Sequence, residues 1–103
     1  MASPILSRVA GDDITLASTI TLNPEHLSAN LDDELVLLNP RTARYHAVHG
    51  PGNQILQLLD RPRTVRELCA AMTARFEVAD EVCERDVLAF VRALIREELA
   101  AAT

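Results

Sequence analysis

The sequence predicts an α+β domain in which a small antiparallel sheet of three strands packs on three helices. Two observations predict this fold. Residues 34–48 read ELVLLNPRTARYHAV, which is two short β-prone runs on either side of a turn. After residue 53, apolar residues recur at helical spacing in three successive runs. The chain has 103 residues, of which 49% are hydrophobic and 24% charged, a composition typical of one globular domain with a single core.

The N-terminal third supplies the remaining extended segments. Residues 1–13 contain a proline, a glycine and an aspartate pair, and we expect them to form a flexible arm, so that the domain spans residues 14–100. Within residues 14–22, apolar residues alternate with threonines, which is typical of a half-buried strand, and residues 25–31 offer another strand. The expected sheet is a three-stranded meander, to which residues 14–22 offer a fourth strand.

The hairpin of residues 34–48 is the centre of this arrangement. Pro40 fixes φ at the first corner of the turn, and Asn39 is able to hydrogen-bond back to the backbone. If no other strand covers the returning strand, it is an exposed edge, which either risks aggregation or docks an extended peptide. Its alternate residues point to opposite faces, with Tyr45 and Ala47 on one face and Arg44, His46 and Val48 on the other.

Three helices follow the hairpin, and the first is expected at residues 53–59. The second begins with a capping box, because Thr64 and Glu67 have the spacing at which each side chain accepts the other residue's backbone N–H. The third is expected to run from residue 80 to residue 99 or 100. At about 100° per residue, its apolar residues fill about half of the helix circumference, which is more than one core needs. This helix either packs on the core and on a partner, or is wedged deeply between the sheet and the other helices.

A group of arginines on the third helix also has two interpretations. Arg85, Arg92 and Arg96 lie within about 40° of one another around the helix axis. They form either a solvated stripe that pairs with acidic residues on neighbouring turns or a basic rim along an apolar groove. The sequence leaves both interpretations open.

No residue pattern indicates an enzyme, a metal site or a cofactor. His46 and His49 are three residues apart, but no carboxylate or cysteine motif surrounds them. Cys69 and Cys83 lie on the apolar faces of the second and third helices, where cysteine acts as a small hydrophobic residue. We therefore expect no metal and no cofactor, and we interpret the chain as a non-catalytic binding protein.

Membrane and nucleic-acid partners are also disfavoured. No apolar run reaches the roughly 18 residues of a membrane span, and the N-terminus lacks the pattern of a secretory signal, so a cytoplasmic location is expected. A hairpin beside three helices is winged helix-turn-helix-like, an arrangement that can bind DNA. However, the recognition helix would open at residues 80–86 with four acidic residues, and the net charge is −5. Contact with phosphates is therefore disfavoured.

Four segments together resemble the PqqD-like proteins, which are leader-peptide recognition elements of pathways that make ribosomal, post-translationally modified peptides. These segments are LVLLNPRTARY at 35–45, ILQLL at 55–59, TVREL at 64–68 and DVLAFVRAL at 86–94. The resemblance covers about residues 26–99, which is most of the chain. The stand-alone members from lasso-peptide clusters are the most similar in character.

The resemblance implies that a leader peptide adds as an antiparallel strand to the third strand of the sheet and lies in a groove against the third helix. The docking strand implied by position consists of Arg44, Tyr45, His46, Ala47 and Val48. The helix would contribute either Leu88, Val91 and Ile95 or Val87, Phe90 and Leu94. Charged leader residues would pair with Arg85, Asp86 and Arg92.

The implied partners are the leader region of a precursor peptide, a cysteine-protease-like leader peptidase and a separate downstream cyclase. A PqqD-like adaptor for a radical-SAM enzyme is the alternative within the family, and a winged-helix DNA-binding regulator is the alternative outside it. The chain departs from the family pattern at three places. Ala43 stands where a turn glycine is common, His49 stands where an asparagine often precedes the first helix, and Glu98-Leu99-Ala100 replaces a Gly-Leu wing.

Overall fold

The computed structural model describes residues 13–32 and 34–103. That part of the chain contains six strands and three helices in the order β1-β2-β3-β4-α1-β5-α2-α3-β6. The strands are β1 (Thr19–Leu22), β2 (Leu27–Leu31), β3 (Glu34–Asn39), β4 (Arg44–His49), β5 (Arg63–Thr64) and β6 (Ala100–Ala102). The helices are α1 (Pro51–Leu58), α2 (Val65–Arg75) and α3 (Asp80–Arg96). Except for Asp13, the arm predicted at residues 1–13 lies outside the described residues.

The predicted meander is confirmed as a three-stranded antiparallel sheet in the order β2-β3-β4. Its register places Leu38 of β3 between Leu27 and Tyr45, and Val36 between Ala29 and Ala47. Within the described ranges, no further strand pairs with β2 or with β4, so both strands are edges of this sheet. The predicted α+β fold class is therefore correct, and the strand predicted to be exposed is an edge.

The segment offered as a fourth strand of the meander joins a different sheet instead. β1 is the central strand of a second antiparallel sheet in the order β5-β1-β6. Ile20 is fully buried, and it lies opposite Arg63 of β5 and the equally buried Ala102 of β6. The two outer strands contain only two and three residues. Segments this short carry no periodic pattern, and the sequence therefore did not predict the second sheet.

Two helix starts follow from local chemistry. α1 begins at Pro51, two residues earlier than predicted, because proline is well suited to the first turn of a helix, where its missing N–H has no partner to lose. α2 begins with the predicted capping box. The backbone N–H of Thr64 donates to Glu67 Oε1 at 2.8 Å, and that of Glu67 donates to Thr64 Oγ1 at 3.1 Å. The first of these bonds, made to the charged carboxylate, lowers the pKa of Glu67.

The end of α3 differs from the prediction. The helix ends at Arg96 and not at residue 99 or 100. Glu98 has φ 59°, its N–H bonds to the Ile95 carbonyl at 3.0 Å, and the N–H of Leu99 bonds to the Leu94 carbonyl at 2.9 Å. These bonds form a Schellman motif, in which a glycine normally takes the left-handed position. The chain then turns into β6 and completes the second sheet.

The wide apolar arc of α3 is mostly occupied by the core. Cys83, Val87, Val91 and Leu94 are buried, and Val91 has no exposed surface. Leu88, Phe90 and Ile95 pack against this core but remain partly exposed. The interpretation of a deeply wedged helix therefore accounts for most of the arc, while Phe90 remains available at one side.

Asn39 connects the hairpin to the end of α3. Its side chain is fully buried, and Nδ2 donates to the carbonyls of Glu97 at 3.0 Å and Glu98 at 3.1 Å. Its Oδ1 accepts the N–H of Arg41 at 2.9 Å, which confirms the predicted bond back to the turn backbone. A buried polar side chain is tolerated only when its donors and acceptors are satisfied. Asn39 therefore fixes the β3–β4 turn to the carbonyls that α3 leaves free at its C-terminal end.

We expect Asn39→Ala to lower the free energy of unfolding by about 2–3 kcal/mol, because it removes three hydrogen bonds from a buried site. Urea denaturation followed by circular dichroism measures this loss. The matched control is Asn30→Ala, since Asn30 is exposed on β2 and its replacement should change stability by less than about 0.5 kcal/mol. Equal effects of the two substitutions would contradict the role given to Asn39.

We expect Ala43→Gly to raise the free energy of unfolding by about 0.5–1 kcal/mol. Ala43 has φ 58°, a left-handed conformation that costs a residue with a Cβ about 1–2 kcal/mol and costs glycine little. Part of that gain is offset because glycine gains freedom in the unfolded chain. Thermal unfolding measures the change, and Ala47→Gly, in the extended strand β4, should lower the melting temperature. A lower melting temperature for Ala43→Gly would show that the turn has another conformation.

Candidate functional site

The free edge of β4 presents unpaired backbone groups at Tyr45 and Ala47. The carbonyl of Asn39 accepts the N–H of Ala43 across the turn, so Asn39 directs its backbone towards β4. Alternate residues of an antiparallel pair bond to the neighbouring strand. Arg44 lies opposite Asn39, so the backbone N–H and C=O groups of Arg44, His46 and Val48 bond to β3. The N–H and C=O groups of Tyr45 and Ala47 therefore point away from the sheet.

An apolar cavity lies between β4 and the C-terminal half of α3. Its volume is about 150 Å³. A second cavity of about 340 Å³ lies along the N-terminal half of α3, and Phe90 lines both cavities. We call the two together the α3 channel. Its walls near β4 are His46, Val48, Phe90, Ala93, Leu94, Glu97 and Leu99. The farther walls include Gly52, Phe76, Val78, Asp86 and Val87.

Gly52 allows β4, α1 and α3 to approach one another beside this channel. A Cβ atom at Gly52 would lie 2.8 Å from Val48 Cγ1 and 3.0 Å from Phe90 Cε1. Both distances are shorter than a normal van der Waals contact between carbon atoms. The glycine therefore lets the Phe90 ring lie close to the start of α1, where it forms the boundary between the two cavities.

Charged groups cluster at one end of the channel. Glu97 Oε1 lies 3.4 Å from Arg44 Nη1 and 3.5 Å from His46 Nε2. Nε2 of His46 is buried and has no hydrogen-bond partner among residues 13–32 and 34–103. Arg41 Nη2, in the β3–β4 turn, lies 3.1 Å from Oε1 of Glu98, which follows the end of α3. These contacts join β4 and its turn to the end of α3, although the Arg41 and Arg44 pairs are largely solvent-exposed and individually weak.

The structure places the predicted docking-strand residues Arg44 to Val48 on β4, beside the channel. Of the two helix sets that the sequence left open, Val87, Phe90 and Leu94 border the channel. Val91 is instead fully buried, and Ile95 lines a different cavity with Pro24 and Ala101. Leu88 packs partly buried against the core and does not line the α3 channel.

The charged residues predicted on α3 are divided between two sides. Asp86 borders the channel, and Arg85 Nε lies 3.3 Å from Asp86 Oδ1. By helical rotation of about 100° per residue, Arg85 and Arg92 lie about 140° and 160° from Phe90. Their backbone positions therefore face away from β4, which supports the interpretation of a solvated stripe.

Sequence reasoning missed Gly52, Ala93, Glu97 and Leu99 as neighbours of this site. Ala93 and Glu97 follow Phe90 by three and seven residues, so helical spacing alone places them on the same side as Phe90. Nothing in the sequence distinguishes that side from the rest of the wide apolar arc. Leu99 could not be assigned, because its position depends on the Schellman motif that ends α3.

The two cysteines show no sign of activation. Both are buried and free. Burial raises the pKa of the Cys69 thiol to about 11, with a smaller contribution from Cys83, and burial also raises the pKa of Cys83. Among the described residues, no group of three or more histidine, cysteine or acidic side chains is arranged to hold a metal ion. Over the same residues, no helix has the length and apolar content needed to cross a bilayer.

Comparison with known proteins gave one family and three similar structures. The family described as coenzyme PQQ synthesis protein D (PqqD) matches residues 34–100. The structure described as TbiB1 in complex with the TbiA(beta) leader peptide has 34% sequence identity and a TM-score of 0.73, with 78% of this chain and 93% of that chain covered. No significant match was found among curated protein sequences.

Two further structures have the same fold. A lasso peptide synthetase B1 complexed with its leader peptide has 29% identity and a TM-score of 0.68, covering 82% of this chain and 96% of that one. The solution structure of the PqqD part of Methylobacterium extorquens PqqCD, described as a stand-alone recognition element, has 18% identity and a TM-score of 0.67. The match covers 88% of this chain and 92% of that chain. At this identity, it shows similarity of fold only.

Proposed function

The chain belongs to the PqqD family, and on this premise we propose that it binds the leader region of a ribosomally made precursor peptide without catalysing a reaction. The leader adds as an antiparallel strand to β4. The observation that carries this proposal is the free β4 edge lying beside the apolar α3 channel. The outward backbone groups of Tyr45 and Ala47 give affinity, and the channel receives alternate leader side chains and gives specificity.

The lining of the channel indicates which leader side chains it accepts. Near β4, most of the walls are apolar, with Phe90, Ala93 and Leu94 on the helix side. Leader residues that point towards α3 are therefore apolar, and a charged residue would lose hydration without gaining a partner there. At the two ends, Asp86 and the Arg44–Glu97 pair offer charged contacts. Arg85, Leu88, Val91, Arg92 and Ile95 lie outside the proposed contact.

We further propose that the bound leader is presented to a cysteine-protease-like leader peptidase, with a cyclase acting downstream, in lasso-peptide biosynthesis. The similarity to two B1 proteins described in complex with leader peptides supports this assignment. An adaptor that serves a radical-SAM enzyme is the alternative within the family. The enzymes encoded by neighbouring genes distinguish the two pathways. We propose a cytoplasmic location, where a newly made precursor would meet these enzymes.

The direct test is a titration of fluorescent synthetic peptides with the purified chain, monitored by fluorescence anisotropy. The peptides have the sequences of leader regions encoded beside its gene. We expect sub-micromolar binding to one leader and no binding to a scrambled peptide of the same composition. Binding to duplex DNA without binding to any leader would instead support a winged-helix DNA-binding regulator. It would overturn the proposed function while leaving the fold unaffected.

We expect Ala47→Pro to weaken leader binding at least about tenfold, equivalent to about 1.4 kcal/mol. Proline removes an N–H that points out of the sheet and leaves one leader carbonyl unpaired. The matched control is Ser28→Pro, which removes an outward N–H from the other edge of the same sheet and should leave leader affinity unchanged. Unchanged affinity in Ala47→Pro would rule out strand addition to β4.

We expect Ala93→Phe to weaken leader binding by a similar factor, because the larger side chain fills the 150 Å³ cavity that receives a leader side chain. Ala93 is only partly buried, so the new ring can be accommodated without unfolding the chain. Ala70→Phe is the control, since Ala70 is exposed on α2 and borders no part of the channel. Tighter or unchanged binding by Ala93→Phe would place the leader side chains elsewhere.

A further inference from the structure

The second free edge of the meander, β2, is unusually open. All five of its residues, Leu27 to Leu31, are exposed, and the leucines at its two ends retain 58% and 57% of their accessible surface. Natural proteins normally protect an edge strand with charged residues, proline, a bulge or a very short length. β4 carries Arg44 and His46, while β5 and β6 are short. β2 reads LSANL and has none of these protections.

The sequence of β2 is complementary to itself in the antiparallel direction. If two copies of β2 pair about a two-fold axis through Ala29, Leu27 of each copy lies opposite Leu31 of the other. Ser28 then lies opposite Asn30, and the two Ala29 residues face each other. A two-fold interface requires this kind of self-complementary surface. We propose that β2 pairs with β2 of a second copy of this chain, so that two three-stranded sheets become one sheet of six strands.

The backbone of β2 is in the correct phase for this register. Along β3, Asn39 and every second residue before it direct their backbone N–H and C=O groups towards β4. The intervening residues, Leu38, Val36 and Glu34, therefore hydrogen-bond to β2. Their partners on β2 are Leu27, Ala29 and Leu31. The N–H and C=O groups of Ser28 and Asn30 therefore point to the free edge. In the proposed register Ser28 meets Asn30 of the second copy, so each outward group gains a partner.

Local charge does not oppose a second copy as the occupant. Each chain has a net charge of −5, but the five positions of β2 carry no charge that would repel another copy. Beyond the strand ends, the register brings His26 level with Asp32 of the second copy, and the two-fold axis repeats this pairing. Nδ1 of His26 donates to the carbonyl of Asn23, so Nε2 has a proton to donate to a carboxylate only in the imidazolium form. Asp32, exposed at the turn, can supply that carboxylate.

The dimer leaves both β4 edges free at the two ends of the six-stranded sheet. Each dimer therefore offers two leader sites, and pairing at β2 does not compete with the proposed leader binding. A five-residue strand edge buries little surface compared with the roughly 1,600 Å² of a standard stable interface. We therefore expect reversible association, with a dissociation constant on the order of 10 μM or weaker.

Sedimentation velocity over a range of about 1 μM to 1 mM tests the dimer, and a pair of lysine variants tests its geometry. Ala29 and Ala47 flank Val36 in the same row of the sheet, one on each edge. Ala29→Lys places two like charges face to face at the two-fold axis and should weaken the dimer at least tenfold. Ala47→Lys should leave the dimer unchanged. A chain that stays monomeric at 1 mM, or equal effects of the two variants, would overturn the proposal.

Disulfide cross-linking provides a second test of the register. Ala29 faces its own copy at a non-hydrogen-bonded position, where Cα atoms lie about 4.5 Å apart, within the range that a disulfide spans. Ala29→Cys should form a covalent dimer under mild oxidation, while Ala47→Cys should do so much more slowly. Cys69 and Cys83 are buried and do not compete. Equal cross-linking of the two variants would exclude pairing through β2.

The proposed dimer and the proposed leader binding can fail independently. Ser28→Pro removes an outward N–H from β2 and should abolish the dimer while retaining leader affinity. Ala47→Pro should have the opposite effects. A dimer that persists in Ser28→Pro would contradict edge pairing at β2, whatever the outcome for the leader.

Discussion

The side-chain amide of Asn39 couples the β3–β4 turn to the C-terminal end of α3, and the position of both walls of the channel depends on it. The Asn39 side chain is fully buried, and two of its three hydrogen bonds are made to carbonyls that have no partner within the helix. Removing the amide would take this donor from the Glu97 carbonyl, whereas the Glu98 carbonyl would keep its hydrogen bond from Asn23 Nδ2. The edge of β4 is therefore held at a fixed distance from α3.

That coupling gives the site its two chemical components on one side of the molecule. Outward backbone groups of Tyr45 and Ala47 form one component, and the apolar walls around Phe90 form the other. Gly52 keeps Phe90 close to Val48, and Glu97 connects the helix end to Arg44 and His46. A peptide that pairs with β4 necessarily places every second side chain towards α3, since successive side chains of a strand alternate. The geometry therefore requires an extended ligand with alternating character.

Two departures from the family pattern have a common structural explanation. Ala43 and Glu98 both adopt positive φ, the conformation for which the glycines of the pattern are suited. In the Schellman motif that Glu98 forms, the backbone bonds and the buried Leu99 maintain the turn without glycine. The carboxylate of Glu98 also gains an ion pair with Arg41. The fold therefore tolerates left-handed residues with a Cβ where surrounding contacts determine the turn.

The sequence by itself determined the strands of the meander, the capping box of α2 and the three helices. Each of these depends on local periodicity or on side chains a few residues apart. Only the tertiary structure decided that β1 joins β5 and β6, that α3 ends at Arg96, and that Phe90 and not Val91 borders the channel. Strands of two or three residues have no period to detect. A helical arc also shows which residues are apolar, but not which of them the core covers, because that depends on contacts between segments distant in sequence.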